Sequence, residues 1–125
     1  MKYDSDPRFA GYYLEDSYVL SVDQDGAEIT FGLDCVLTPR HPEYVAPPPS
    51  EQHCYRRGML VFADVSSANW QRRSDRAFTD ASGARDYGNI DSFQIGAGGR
   101  YDLEGDWGSV EIVAASAAIT LNSAA

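Results

Sequence analysis

The stretch from Glu28 to Leu37 constrains the fold of this chain more than any other segment. Apolar side chains recur there at every second position over nine residues, which is typical of a β-strand with one buried face. The apolar set is Ile29, Phe31, Leu33, Cys35 and Leu37, and it alternates with Glu28, Thr30, Gly32, Asp34 and Val36. Another extended segment, 12–22, comes before it, and Asp25-Gly26 between them favours a tight turn. The sequence therefore predicts an N-terminal β-hairpin.

The rest of the chain repeats this pattern of short extended segments and turns. Strands are predicted at 58–65, with an extension to 71 after a bend, and at 90–95, 100–103, 108–114 and 118–121. No window of more than ten residues carries an apolar stripe of helical period with caps. About seven short strands predict one all-β domain over residues 1–125, built as an antiparallel sandwich or a partly open barrel.

Residues 38–58 interrupt the strands with a long proline-rich loop. Prolines at 39, 42 and 47–49 cannot donate hydrogen bonds in a sheet, and they favour extended backbone next to them. A loop of this length is uncommon in a compact domain unless it is functional or ordered by its own side chains. We expect Tyr44 and Tyr55 to hold it against the sheet.

The charge of the chain limits the partners that it can bind. With 19 acidic and 10 basic residues, the net charge is −9 at pH 7. Phosphate backbones and anionic lipid surfaces repel such a chain, so neither nucleic acid nor a membrane is expected as a partner. A basic protein suits the charge, whereas the oligomeric state is left open.

The N-terminal sequence predicts a cytoplasmic location. Residues 1–6 are polar and acidic, and no apolar signal-peptide region follows them. No apolar stretch approaches the roughly 20 residues that span a bilayer. The two cysteines are then expected to be reduced thiols.

Four residues of types that bind zinc lie within twenty positions of one another. They are Cys35, His41, His53 and Cys54. Their spacing matches no paired zinc knuckle, and the alternation of the strand places Cys35 in the core. A buried thiol and loop histidines are the favoured interpretation, without a metal or other cofactor. The phosphate-binding, dinucleotide-binding, serine-hydrolase and zinc-protease motifs are also absent from the sequence.

Two later turns concentrate carboxylates and aromatic rings. The candidate site residues are Asp86, Tyr87, Asp91, Glu104, Asp106 and Trp107. If the flanking strands pair, the two turns meet at one end of the sheet. Their carboxylates would suit acid–base chemistry or a cation, and an exposed aromatic ring there would suit a protein interface. Turn formation alone also explains Asp, Asn and Gly at these positions.

The segment Leu14-Glu15-Asp16-Ser17-Tyr18-Val19-Leu20-Ser21-Val22, followed by a turn and residues 28–33, resembles the start of a loose group of small bacterial β-domains. Some of these are uncharacterised, and others are immunity proteins of contact-dependent or polymorphic toxin systems. The predicted strand 58–65 and Trp70 fit the same layout. Glu15 stands where those domains often have a histidine, so no site residue is carried over from them.

These features predict an acidic protein-interaction module, with an immunity-type inhibitor of a basic partner as its specific form. One alternative is a small-ligand-binding protein or an enzyme that uses the carboxylates of the two turns. A structural or oligomeric β-module, formed by edge strands that pair between chains, is another. The lack of a catalytic motif favours a non-enzymatic role.

Overall fold

Eight β-strands form most of the protein in its computed structural model, which describes residues 1–122. They are β1 (Tyr12–Asp25), β2 (Glu28–Leu37), β3 (Cys54–Arg73), β4 (Phe78–Thr79), β5 (Arg85–Asp86), β6 (Ser92–Ile95), β7 (Arg100–Gly105) and β8 (Gly108–Leu121). Three single 3-10 turns are the helical elements of these residues. The all-β prediction is confirmed, and no helix in the described part is long and apolar enough to cross a membrane.

Six of the strands form one antiparallel sheet in the order β1-β2-β3-β8-β7-β6, and β4 pairs with β5 in a separate hairpin. The sheet is not closed into a barrel, because β1 and β6 do not pair with each other. Residues 87–91 run between these two edges. Val19 on β1 accepts a hydrogen bond from the backbone N–H of Tyr87 at 2.8 Å, and Asp91 N–H donates to Glu104 on β7 at 2.8 Å. This segment therefore connects β1, at one edge of the sheet, with β7, the strand next to the other edge.

Most strands are longer than the sequence pattern predicts, whereas β6 is shorter, because it begins at Ser92 rather than at residue 90. β3 has 20 residues, and β1 and β8 have 14 each. The predicted strands 108–114 and 118–121 are one strand, because Ser116 between them pairs with Ala63 on β3. β3 begins at Cys54, so the proline-rich loop covers 38–53 rather than 38–58. Pairing with a neighbouring strand keeps these polar stretches extended where their own sequence does not.

The loop is held against the sheet by Tyr44 and, at its C-terminal end, by the contact of His53 with Tyr55. Tyr44 is half-buried against the core, and its backbone N–H donates to His41 at 3.1 Å. The His41 ring in turn lies 3.1 Å from the Tyr12 hydroxyl. Tyr55 belongs to β3 rather than to the loop, and its ring meets that of His53, the last loop residue, edge-on at a centroid distance of 5.9 Å.

A single aromatic-rich core lies on the inner face of the sheet. All five alternating apolar residues of β2 are buried, as the sequence predicts. Phe31 packs on Trp107 with ring centroids 5.0 Å apart, and Phe62 packs on Tyr101 at 5.2 Å. Phe9 of the N-terminal arm is also completely buried. The arm is therefore part of the core.

β1 contains a bulge that changes which side chains face outward. Tyr13 pairs with Val36, and Tyr18 pairs with Asp34, so five steps along β1 match two steps along β2. In a regular strand, residues five apart face opposite sides of the sheet. Because of the bulge, Tyr13 and Tyr18 are both exposed.

A second irregularity follows between Val19 and Ser21. The sequence predicts that Tyr18, Leu20 and Val22 share one face. Instead Tyr18 is exposed whereas Val22 packs against the core, so that prediction is wrong.

Candidate functional site

The two turns that carry the predicted site residues meet in the fold. The Trp107 indole N–H donates to the backbone oxygen of Asn89 at 3.0 Å. Gly88 approaches the other turn so closely that a Cβ on it would lie 2.8 Å from Asp106 Oδ2. The contact joins segment 87–91 to the β7–β8 turn.

The contact between the two turns places three of the four predicted carboxylates close together, namely Asp91, Glu104 and Asp106. Burial raises the pKa of Asp91, and the negative charges of Asp106 and Glu104 raise it further. The charge of Arg72 partly offsets this rise, and its guanidinium donates to the backbone oxygens of Gly105 at 2.7 Å and Asp106 at 3.3 Å. Within residues 1–122, none of the three carboxylates forms an ion pair with a basic side chain.

The fourth carboxylate, Asp86, is separate from this group. It lies in β5, where its Oδ1 accepts a hydrogen bond from Gly88 N–H at 2.8 Å. Asp86 instead lines a cavity against the outer face of β1–β3.

Trp107 is not an exposed aromatic anchor. It is 1% exposed, and its ring packs edge-on against Phe31 and Trp70 at centroid distances of 5.0 and 6.1 Å. A tryptophan in a tight turn buries its ring when the turn folds over the core and its N–H finds a carbonyl. Tyr87 is half-buried beside a cavity of about 200 Å³ and also packs against the core. The Trp107 ring is therefore not free to contact a partner, whereas part of Tyr87 remains accessible.

The four possible zinc ligands do not come together. Cys35 is buried in the core, where burial raises the pKa of its thiol to about 12. His41 contacts Tyr12, His53 lies 3.0 Å from Asp16 Oδ2, and Cys54 is a half-buried free thiol. Across residues 1–122, no three His, Cys, Asp or Glu side chains are arranged to hold a metal ion.

A different surface, outside the predicted site, lies on the outer face of β1, β2 and β3. Its rings are Tyr13, Tyr18, His53 and Tyr55, and this set is the aromatic strip. His53 meets Tyr13 and Tyr55 edge-on, at centroid distances of 6.2 and 5.9 Å. Tyr55 stacks on Tyr18 at 6.1 Å with an interplanar angle of 27°. Each tyrosine of the strip is between 37% and 41% exposed.

Strand register explains why these rings lie side by side. Tyr13, Val36 and Tyr55 form one row across the three strands, and Tyr18, Asp34 and Arg57 form the next. Side chains in adjacent rows on the same face are within reach of each other when they are aromatic or long. The β1 bulge and the β2–β3 register together create the strip.

A cavity of about 300 Å³ lies between the strip and the β4–β5 hairpin. On the sheet side it is lined by Tyr18, Leu20, Asp34, Tyr55 and Arg57, and on the hairpin side by Asp80, Ala84, Arg85 and Asp86. Burial raises the pKa of Asp34, an effect that Arg57 partly offsets. Burial, together with the neighbouring Tyr18 and Asp34, raises the pKa of Tyr55 to about 12, so its hydroxyl stays neutral at physiological pH.

Part of this surface carries a signal in the sequence. Once β2 and β3 are paired, residues 34 and 36 fall on the face of β2 that lies away from its alternating apolar set, opposite 57 and 55. Tyr13 and Tyr18 carry no such signal, because a bulge leaves no regular spacing to recognise.

No protein-family model, no curated protein and no solved structure matches this chain.

Proposed function

We propose that the protein is an interaction module that binds a basic protein partner through the aromatic strip. The observation that carries the proposal is the exposure of three tyrosine rings in one contiguous set on the outer face of the sheet. Tyrosine is enriched at protein interfaces, since it supplies a large contact area with few rotatable bonds and a polar end. Burying the strip against a partner would remove these rings from water.

The strip crosses three strands, and cavities of about 300 and 140 Å³ lie beside its rings. It therefore offers an extended contact surface. By contrast, Glu104 of the acidic turns borders a cavity of about 80 Å³, and Tyr87 and Trp107 border one of about 200 Å³, both below the roughly 300–1,000 Å³ of typical ligand sites. This difference favours a protein partner over acid–base chemistry at Asp91, Glu104 and Asp106.

The net charge supports a basic partner. A protein of charge −9 attracts cationic proteins over distances of about a Debye length and speeds their encounter. The uncompensated carboxylates at Asp91, Glu104 and Asp106 add to this field. An immunity-type inhibitor that masks a basic toxin is the specific form of this function that the sequence resemblance suggests.

Capture from a lysate of the cells that make the protein tests the proposal. The bait is wild-type protein or the double variant Tyr18→Ala/Tyr55→Ala, and mass spectrometry identifies what stays bound at low salt. We expect one basic protein, bound in stoichiometric amount by wild type, released as salt rises, and lost with the double variant. Removing aromatic anchors from an interface costs about 2 kcal/mol or more each.

Phe78→Ala is the matched control, because Phe78 is as exposed as the two tyrosines but does not line the cavity beside them. This variant should retain the partner. An empty capture at low salt, or equal capture by the double variant, would contradict the proposal.

A further inference from the structure

We infer that the cavity between Tyr18, Tyr55 and Asp34 receives an arginine side chain of the partner. The inference rests on the proposed function, because a basic partner presents guanidinium groups on its surface. The recognised group is a guanidinium, and the carboxylate that recognises it is Asp34.

The ring arrangement suits a planar cation. Tyr18 and Tyr55 are stacked at an angle of 27° and are more than one-third exposed, which leaves ring surface open to the cavity. A guanidinium stacks on tyrosine faces and gains both cation–π attraction and apolar contact. An ammonium group gains the attraction but has no flat face to stack.

Asp34 supplies the complementary charge. It stands in the same cross-strand row as Tyr18, and its side chain is 28% exposed. Its neighbour Arg57 is 66% exposed and approaches no closer than 4.0 Å, beyond the roughly 2.7–2.9 Å of a charge-assisted hydrogen bond. Asp34 is therefore a half-buried carboxylate that forms no hydrogen bond with its neighbour Arg57.

The other charged groups of the cavity are arranged differently. Asp80 and Asp86 already accept hydrogen bonds from backbone N–H groups of their own turns. Arg57 and Arg85 are exposed at the rim, where long side chains move aside at little cost. With three carboxylates against two guanidiniums, the cavity is complementary to one added cation.

Nuclear magnetic resonance of the full chain tests this with a defined probe. N-acetyl-arginine amide is titrated into labelled protein, with N-acetyl-glutamine amide as a neutral control and N-acetyl-lysine amide as a control for charge alone. We expect saturable shifts of the Tyr18 and Tyr55 ring signals with the arginine probe, weaker ones with lysine and none with glutamine.

Asp34→Asn should weaken binding of the arginine probe about tenfold or more, the worth of a hydrogen bond to a charged group. Asp23→Asn is the matched control, because it removes the same charge from the exposed end of β1 and should leave binding unchanged. Both variants are first shown to be folded by their amide spectra.

Equal shifts from the arginine and glutamine probes, equal affinity for the lysine probe, or undiminished binding by Asp34→Asn would overturn the inference. These results are independent of the lysate capture. If the arginine probe fails while Tyr18→Ala/Tyr55→Ala still loses the partner, the strip binds a protein without an arginine anchor. If the capture fails while the probe binds, the proposed function falls and the guanidinium site remains.

Discussion

Trp107 lies among acidic residues in a tight turn, which is also where an exposed binding residue would be expected. Its ring instead fills the space beside Phe31 and Trp70, and its N–H is satisfied by Asn89. Whether a turn side chain points outward or folds back over the core depends on the packing of distant strands. The identity of a residue in one turn carries no information on that choice.

At this residue scale, Trp107→Ala should destabilise the fold rather than only a binding surface. Removing a fully buried tryptophan typically costs about 3–5 kcal/mol, through lost burial and the cavity that remains. Urea unfolding followed by circular dichroism should show a midpoint far below that of wild type. Phe78→Ala, which removes an exposed ring, should stay within about 0.5 kcal/mol of wild type. A wild-type midpoint for Trp107→Ala would show that its burial contributes little.

At the scale of the elements, the turns differ in why they require glycine. Gly26, in the β1–β2 turn, has φ of +57°. A Cβ at this position would have no atom of residues 1–122 within 4 Å, apart from those of its own chain neighbours. Gly99, before β7, has φ of +76°, and a Cβ there would lie 2.5 Å from the backbone oxygen of Ala114. Gly26 therefore relieves backbone strain alone, whereas Gly99 also permits close packing against β8.

The two alanine variants should separate these effects. Gly26→Ala carries only the left-handed backbone penalty, about 1 kcal/mol. Gly99→Ala adds an overlap with backbone that cannot move aside, so we expect a loss of at least about 2 kcal/mol. Thermal and urea unfolding of both proteins under the same conditions gives the comparison. Equal losses would mean that β8 shifts to accommodate the methyl group.

The predictable elements are those whose pattern is local. The five alternating residues of β2 and the turn before it predict the first hairpin, and both are present. The full lengths of β3 and β8 do not follow from the pattern, because their polar stretches stay extended only through pairing with each other. The β1 bulges do not follow from it either, because they depend on how β1 pairs with β2, which its own residues do not reveal.

The same distinction between local sequence pattern and strand pairing applies to the candidate site. The sequence predicts that the turns around Asp91 and Asp106 meet if their strands pair, and they do. The aromatic strip gathers residues from β1, the 38–53 loop and β3, up to 42 positions apart in the sequence. Only the register of three strands brings them together, and a scan for local motifs does not detect such a surface.

At the scale of the whole molecule, charge is expected to act on the rate of association. A field from a net charge of −9 accelerates encounter with a cationic partner, and salt screens it. We expect the association rate with the captured partner to fall about tenfold or more between low and high salt, with a smaller change in the dissociation rate. Surface plasmon resonance at several ionic strengths measures both rates.

Two triple variants distinguish a general field from local contacts. Asp91→Asn/Glu104→Gln/Asp106→Asn removes three charges from the acidic turns, and Asp23→Asn/Asp25→Asn/Glu28→Gln removes three from the β1–β2 turn. A general field predicts that both slow association to a similar extent. A marked loss with the first set alone would make the acidic turns a contact surface instead.

The bulge in β1 has a consequence for how this surface could change during evolution. Deleting or inserting one residue within 14–17 would turn Tyr13 relative to Tyr18 without altering any side chain of the strip. A length change of that kind can dismantle or assemble the recognition face in a single step, whereas point substitutions would need several. Among homologues of this protein, gaps in this short stretch would therefore be a better guide to altered partner choice than the identity of the tyrosines.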